Sequence, residues 1–321
     1  MPLLELVRDV LAPVFVLIVL GALLRGRLGL GTGAELGHLL YWIALPAQLI
    51  HLMAKTDLAH GFPGAAVLVV VVTFAVGIAL ALAVTGKLPP AVRGSLVNGA
   101  VRPNGAFVGL SVITLAALQL GDPVGARLAG AYAALLGPAV IAFNVGAVVA
   151  FRQPHHAGTG GGLFRSLADL PGNPILLGCV IGTGLGFWHP GILEGTVPGK
   201  VLGMIAGCAV PLALLAAGLG LDFGALRGQG LRLASAAAIK LVVQPAATYL
   251  VCRLVGLDPM ATATATILMS CPAAMAAVPM ARTLGGDVAL MSALVTLTTA
   301  LAPLTMMGWL WLVLGRLLGG G

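Results

Sequence analysis

The sequence predicts an all-α integral membrane protein, and its composition, the spacing of its apolar runs and the positions of its prolines indicate this class. Of its 321 residues, 59% are hydrophobic and 8% are charged, with a mean hydropathy of +1.07. A water-soluble core of this size does not require so apolar a chain. Because a helix crosses the hydrocarbon layer with about 20 apolar residues, the length accommodates roughly ten spans and no separate soluble domain.

Ten apolar stretches, called spans 1 to 10 below, are bounded by charged residues, glycine and proline. Acidic residues precede span 1 and arginines follow it, whereas a cleavable leader has its positive charge before the apolar run and a cleavage site behind it. We therefore expect a retained helix. The predicted spans lie at about 10–24, 36–54, 63–85, 94–119, 126–151, 173–188, 198–220, 231–254, 260–283 and 288–314.

The prolines indicate an internal repeat of five spans. Proline inside a membrane helix is a local structural event, because it removes a backbone donor. Prolines in spans 1, 2, 4 and 5 have counterparts in spans 6, 7, 9 and 10 at separations of 161 to 169 positions. The pairs are Pro13 and Pro174, Pro46 and Pro211, Pro103 and Pro272, and Pro138 and Pro303. An odd number of spans inserts the second repeat upside down, which is the inverted-repeat design of many secondary transporters.

The longest connection between spans divides the chain into two halves. Residues 152–172 are rich in glycine and polar side chains and are interpreted as a flexible linker between the repeats at 1–151 and 173–321. Nine Lys and Arg residues lie in the loops that follow odd-numbered spans, against six on the other side. The positive-inside rule then places both termini outside and the linker in the cytoplasm of a cell (inner or plasma) membrane protein.

Two interrupted spans predict a substrate site near the middle of the membrane. The segment RPNGAFVGL interrupts span 4, and CPAAMAAVP interrupts span 9 at the corresponding place. In lipid, broken backbone survives only where protein or an internal cavity surrounds it, and freed N–H groups at helix starts favour an anion such as a carboxylate. The candidate substrate-binding residues at these breaks are Arg102, Pro103, Asn104, Gly105, Cys271, Pro272 and Ala273.

Polar side chains in these spans leave alternative interpretations open. Arg102 can contact a carboxylate bidentately, or it can snorkel to the nearer membrane surface. Asn104 can belong to the site or cap a helix. Lys240 and Gln244 in span 8 complete the candidate set. Lys240 can act as a counter-charge during transport, or it can be a structural ammonium that bonds the freed carbonyls of a broken helix.

Other classes of chemistry lack support in the sequence. The ten carboxylates all fall at span ends or in loops, so no buried acid pair exists for general acid–base catalysis, and we expect no enzyme. His155 and His156 lack further ligands, so neither a metal site nor a cofactor is expected. The basic residues are scattered, which argues against a nucleic-acid partner. The four cysteines are predicted to be isolated buried thiols, and glycines at 178, 182 and 186 predict close helix packing.

The sequence resembles the auxin efflux carrier family over essentially its whole length. The resemblance rests on GALLR after span 1, LPAQLI in span 2, RPNGAFVGL in span 4, NPILLG opening span 6, AVPLALLAAGLGL in span 7, AIKLVVQP in span 8 and CPAAMAAVPMARTLGGD in span 9. It implies a scaffold domain from spans 1, 2, 6 and 7 and a transport domain from spans 3–5 and 8–10. Elevator-type transport of small organic anions, often by a homodimer, is also implied.

Within this resemblance, Pro103 and Asn104 match the crossover residues of span 4, and Pro272 matches their partner in span 9. Leu110–Ser111 departs from the Gly-Leu-Pro ending of many relatives, and the break in span 9 lacks a second amide. The leading hypothesis is a secondary carrier of a small carboxylate whose coupling ion, proton or sodium, the sequence does not name. The alternatives are a sodium-coupled carrier of bile-acid-like anions and, from a different class, a membrane enzyme or a non-transporting scaffold.

Overall fold

A computed structural model describes residues 5–29, 31–55, 59, 63–151, 172, 174–226 and 230–319. Within these ranges the regular structure is helical, apart from one isolated antiparallel bridge. The predicted linker, except for Gly172, and the pair His155–His156 lie outside the described residues.

The helices are numbered α1 to α12 in chain order over the described ranges. They are α1 (Arg8–Leu28), α2 (Thr32–Met53), α3 (Gly64–Thr85), α4 (Pro90–Val101), α5 (Gly105–Leu120), α6 (Val124–Phe151), α7 (Pro174–Trp188), α8 (Val197–Leu219), α9 (Gly230–Leu254), α10 (Pro259–Ser270), α11 (Ala277–Thr283) and α12 (Val288–Gly319). Span 4 corresponds to α4 and α5, and span 9 corresponds to α10 and α11.

Seven helices within the described part are long and apolar enough to cross a membrane: α1, α2, α3, α6, α8, α9 and α12. The chain is therefore an all-α, multi-pass membrane protein, as its composition predicts. Helices α5 and α7 are apolar but shorter. The total of ten spans and the inverted repeat stay predictions.

In the described part of the chain, three helices have a wide, π-helical turn at their start or within them that ends two residues before a proline. The turn Leu6–Leu11 precedes Pro13, Leu40–Ala44 precedes Pro46, and Ile239–Val243 precedes Pro245. A π-helical turn shifts the hydrogen-bonding register by one residue, so the helix continues past a proline that donates no hydrogen bond. These prolines therefore mark local register shifts and leave α2 and α9 continuous.

Glycines bring one group of helices into close contact. Helix α1 packs on α8, where a side chain at Gly21 would overlap the carbonyl oxygen of Leu215. Helix α7 packs on α2, where a Cβ at Gly178 would lie 2.8 Å from Cα of Pro46 and one at Gly182 would lie 3.1 Å from Cα of Ile50. The close packing predicted for Gly178 and Gly182 is confirmed, because a Cβ at either position would crowd the backbone of α2.

Helix α10 lies inside the second group of helices. It contacts α3, α6, α9 and α12, and the residues from Ala261 to Ser270 are all buried. Small side chains at Ala263, Ala265 and Thr264 allow these neighbours to surround the helix. Protein therefore encloses the end of α10, which is the condition under which a membrane protein tolerates an interrupted helix.

Candidate functional site

The two interrupted spans cross and complete each other's backbone hydrogen bonding. Helix α4 ends at Val101 and α10 ends at Ser270, as the prolines in the following segments predict. Pro103 and Ala273 face each other in the antiparallel bridge. The amide of Asn104 donates to the carbonyl of Pro272 at 2.7 Å, and the amide of Ala274 donates to the carbonyl of Arg102 at 3.1 Å. We call the segments 102–104 and 271–274 the crossover.

One backbone donor of the crossover binds a side chain from α12. The amide of Ala273 donates to Oγ1 of Thr298 at 3.0 Å, and this hydroxyl donates in turn to the carbonyl of Leu294 at 2.7 Å. Pro103 opposite has no N–H to satisfy. Thr298 is a functional position that the sequence analysis missed, because nothing in the apolar run of span 10 indicates that one threonine faces the break.

Asn104 places an unpaired amide at the crossover. Its side chain is 4% exposed, and its Nδ2 has no hydrogen-bond partner among the described residues. The backbone carbonyl of Asn104, not its side chain, accepts hydrogen bonds from Val108 and Gly109 at the start of α5. The alternative in which the side chain caps a helix is therefore wrong. A buried N–H donor without a partner costs about 1–3 kcal/mol, which a bound acceptor would recover.

Arg102 points into the protein and not toward a membrane surface. Its side chain is 8% exposed, and its Nη2 donates to Oδ1 of Asn144 in α6 at 2.8 Å. Its Nη1 contacts Sδ of Met280 in α11 at 2.6 Å. The snorkelling alternative does not describe this side chain. A guanidinium has five N–H donors, so donors remain beyond those two contacts.

Lys240 is fully buried beneath the crossover. Its Nζ donates to the carbonyl of Met269 and to Oε1 of Gln244, both at 2.8 Å. The first bond satisfies a carbonyl freed at the end of α10, as the structural alternative predicts. Gln244 leaves its Nε2 without a partner in the described part, and it lines an apolar groove of about 500 Å³ between α3, α4 and α9.

The site carries positive charge that no carboxylate compensates within the described residues. The ion pairs among the described residues are Arg8 with Asp9 and Arg25 with Asp222. Neither pair involves Arg102 or Lys240. Burying an unpaired cation is costly, because the low-dielectric interior stabilises charge poorly. The arrangement can therefore bind a small anion whose charge offsets this cost.

Two glycines of α5 leave space for buried side chains that pack next to the crossover. The hydroxyl of Tyr132 donates to the carbonyl of Gly105 at 3.1 Å. A Cβ at Gly109 would overlap this hydroxyl and would lie 2.8 Å from Sγ of Cys271. The predicted residues Pro103, Asn104, Gly105, Cys271, Pro272 and Ala273 thus lie together, and Lys240 reaches them through Met269.

Two asparagines near Arg102 were also missed. Both polar atoms of the Asn98 side chain are buried without a hydrogen-bond partner in the described part of the chain. Asn98 precedes Arg102 by one helical turn, and this i, i+4 spacing could have drawn attention to it. Asn144 contacts Arg102 from another helix, so no local pattern indicates the pair.

The histidines and cysteines of the described residues lie in different environments. No group of three possible metal ligands occurs among the described residues. His38 is exposed next to Trp42, and His51 is half-buried. Three cysteines are buried as predicted, but Cys208 is exposed. The expectation fails there because an apolar membrane helix exposes one face to lipid, so position in an apolar run does not imply burial in protein.

The fold and the crossover define a multi-pass membrane protein with an enclosed, interrupted helix pair. The family model described as membrane transport protein, the auxin efflux carrier family domain, matches residues 168–310. The family implies a membrane transporter, which supports the expectation that the chain is not an enzyme. The match includes Lys240, Gln244 and residues 271–273, whereas residues 102–105 precede it. No curated protein sequence matches the chain.

Proposed function

We propose that the protein is a secondary active transporter of a small organic anion, a carboxylate, which binds at the crossover. The observation that carries this proposal is that Asn104 and Arg102 lie two residues apart on the crossing segment. Asn104 has an unpaired amide donor, and the buried guanidinium of Arg102 pairs with no carboxylate among the described residues. A carboxylate supplies the charge and the acceptor oxygens that this pair lacks.

The proposed mechanism is alternating access of the elevator type within an inverted repeat of two five-span halves. Its support is the packing of the helices into two groups. Helices α1, α2, α7 and α8 contact one another through small residues, and α10 with the crossover lies among α3, α6, α9 and α12. Helices α4 and α5 pack on α6, and α11 packs on α12, so they belong to the second group. In this proposal the first group is the fixed scaffold, and the second group carries the anion across the membrane.

A flux assay in proteoliposomes tests the proposal. Full-length protein is reconstituted, and uptake of labelled small mono- and dicarboxylates is measured against protein-free vesicles. We expect saturable uptake of at least one carboxylate, and Arg102→Ala should lower it roughly tenfold, because hydrogen bonds to charged groups contribute about 1.5–3 kcal/mol. Sodium and proton gradients, imposed separately, identify the coupling ion and test the sodium-coupled alternative.

The matched control is Arg282→Ala, which removes the same charge from an exposed position in α11. This variant should transport at the wild-type rate. Background uptake of every carboxylate by the wild-type protein would contradict the proposed function. Equal uptake by the Arg102→Ala variant would contradict the proposed role of Arg102.

A further inference from the structure

A second pocket lies where α9 and α12 end and α10 begins. The crossover follows the opposite end of α10. The pocket has a volume of about 440 Å³, within the range of about 300–1,000 Å³ that holds small ligands. It is lined by Tyr249, Arg253, Pro259, Thr262, Val313, Gly315 and Arg316. The lining includes two cationic side chains and no carboxylate.

The two arginines reach the pocket from different helices. Cζ of Arg316 in α12 lies 5.5 Å from the ring centroid of Tyr249 in α9, which is the geometry of a cation–π contact. Arg253 follows Tyr249 by four residues and so lies on the same face of α9. The ring of Tyr249 therefore contacts the guanidinium of Arg316 on the face of α9 that carries Arg253, and both arginines line the pocket although their charges repel each other.

Carboxylates do not neutralise this pair within the described residues. Asp258 is the acidic residue nearest to Arg253 in the chain, and its Oδ1 accepts a hydrogen bond from the amide of Ala261 at 3.0 Å as the cap of α10. The ion pairs of the described part involve neither Arg253 nor Arg316. The pocket thus has the charge and the donors that bind an anion with several oxygens.

The two helices that carry the pocket arginines also expose apolar side chains near them in the chain. Leu250 and Leu254 of α9 and Trp311 of α12 are exposed, and Leu254 has 84% of its surface accessible. Tryptophan is typical of the level at which lipid headgroups meet acyl chains. A free anion would use only the arginines, whereas a phospholipid would also cover these apolar side chains.

We propose that this pocket binds the phosphate group of an anionic phospholipid, with the acyl chains against Leu250, Leu254 and Trp311. Guanidinium groups match phosphate oxygens in bidentate pairs. This site is separate from the crossover, so its test does not depend on the proposed transport function.

The test is the binding of phosphatidylglycerol to the purified full-length protein in detergent, measured by native mass spectrometry across a lipid titration. We expect saturable binding that is tighter than that of phosphatidylcholine. Arg253→Ala and Arg316→Ala should each weaken the apparent Kd about fivefold, as expected for one basic residue at an anionic membrane surface. Arg253→Gln and Arg316→Gln serve as second variants if the alanine variants fail to fold.

Arg127→Ala is the matched control, because Arg127 is an exposed arginine at the start of α6 and does not line the pocket. This variant should bind phosphatidylglycerol like the wild type. Equal weakening by Arg127→Ala, or no weakening by either pocket variant, would overturn the proposal. A parallel thermal-shift titration compares inorganic phosphate with phosphatidylglycerol, and equal stabilisation by phosphate would show that the site binds a free anion and not a lipid.

Discussion

Three polar residues around the crossover differ in how many of their hydrogen-bond donors are already paired within the protein. Lys240 uses two of its donors on Met269 and Gln244, so its ammonium is committed to holding the end of α10. Arg102 binds Asn144 and Met280 and retains further donors. Asn104 leaves its amide nitrogen unpaired among the described residues. The freedom to bind a ligand therefore increases from Lys240 to Arg102 to Asn104.

Asn104→Ala should separate transport from stability. The substitution removes no hydrogen bond from the described structure, so the thermal midpoint of the purified protein should stay near that of the wild type. The carboxylate would lose a donor at the site, and we expect the uptake rate in proteoliposomes to fall roughly tenfold, since a hydrogen bond to a charged group contributes about 1.5–3 kcal/mol.

The comparison variant for Asn104 is Thr298→Val, which removes the hydroxyl that accepts from the amide of Ala273. A buried N–H would then lack its partner, so this variant should lose stability as well as transport. A fall in thermal midpoint for Asn104→Ala as large as that of Thr298→Val, without a change in uptake, would show that Asn104 has a structural role.

At the scale of elements, the crossover exists because two chain segments that cannot continue as helices satisfy each other. Proline at 103 and at 272 stops α4 and α10, and the facing amides and carbonyls pair across the bridge. In lipid this pairing is required, because no water is present to bind the freed groups. The interruption is therefore a defined two-segment structure and not a flexible gap.

The sequence predicts the two breaks of the crossover, but it does not predict the side chains from other helices that stabilise them. Proline chemistry and the spacing of Pro103 and Pro272 indicate both breaks. Proline alone does not distinguish a break from a register shift, because α2 and α9 continue past Pro46 and Pro245.

Thr298 and Tyr132 reach the crossover from other helices, and the choice of these side chains depends on packing between distant segments. Likewise, the two alternatives for Arg102, contact with a substrate and snorkelling to the membrane surface, differ only in the direction of the side chain. The sequence does not indicate this direction.

Gly109→Ala should disrupt the crossover from the side of α5. The new methyl group would overlap the hydroxyl of Tyr132 and lie 2.8 Å from Sγ of Cys271, so one of these buried side chains must move. Overpacking of this kind costs about 1–3 kcal/mol. We expect a lower thermal midpoint together with reduced carboxylate uptake.

Gly308→Ala provides the control for Gly109, because it makes the same change inside α12 at a position with nothing within 4 Å of the added Cβ. It should leave both the thermal midpoint and uptake at wild-type levels. If both alanine variants behaved alike, steric exclusion at Gly109 would not support the crossover.

At the scale of the whole molecule, polar contacts join the two groups of helices at few places. Gln48 of α2 donates through Nε2 to Oγ1 of Thr114 in α5 at 3.1 Å, and this bond links the proposed scaffold to the proposed transport group. Thr73 of α3 and Thr248 of α9 make a bond of similar length, 3.2 Å, but both belong to the transport group. The two pairs therefore distinguish motion between the groups from motion within one group.

An elevator requires the first pair to separate during each transport cycle and the second pair to stay together. Cysteines introduced as Gln48→Cys with Thr114→Cys should, once oxidised, stop carboxylate uptake, and a reducing agent should restore it. Cysteines introduced as Thr73→Cys with Thr248→Cys should crosslink without stopping uptake. Replacing the exposed Cys208 by serine in both backgrounds avoids competing disulfides.

Gel mobility and mass spectrometry establish that each disulfide has formed before flux is measured. Full uptake by the oxidised Gln48–Thr114 pair would exclude sliding between the two groups, because a covalent bond holds them at one register. Loss of uptake by the oxidised Thr73–Thr248 pair would instead place the moving boundary inside the proposed transport group. An inverted repeat with a rigid transport domain predicts neither result, since that domain carries the crossover and its bound anion as one body.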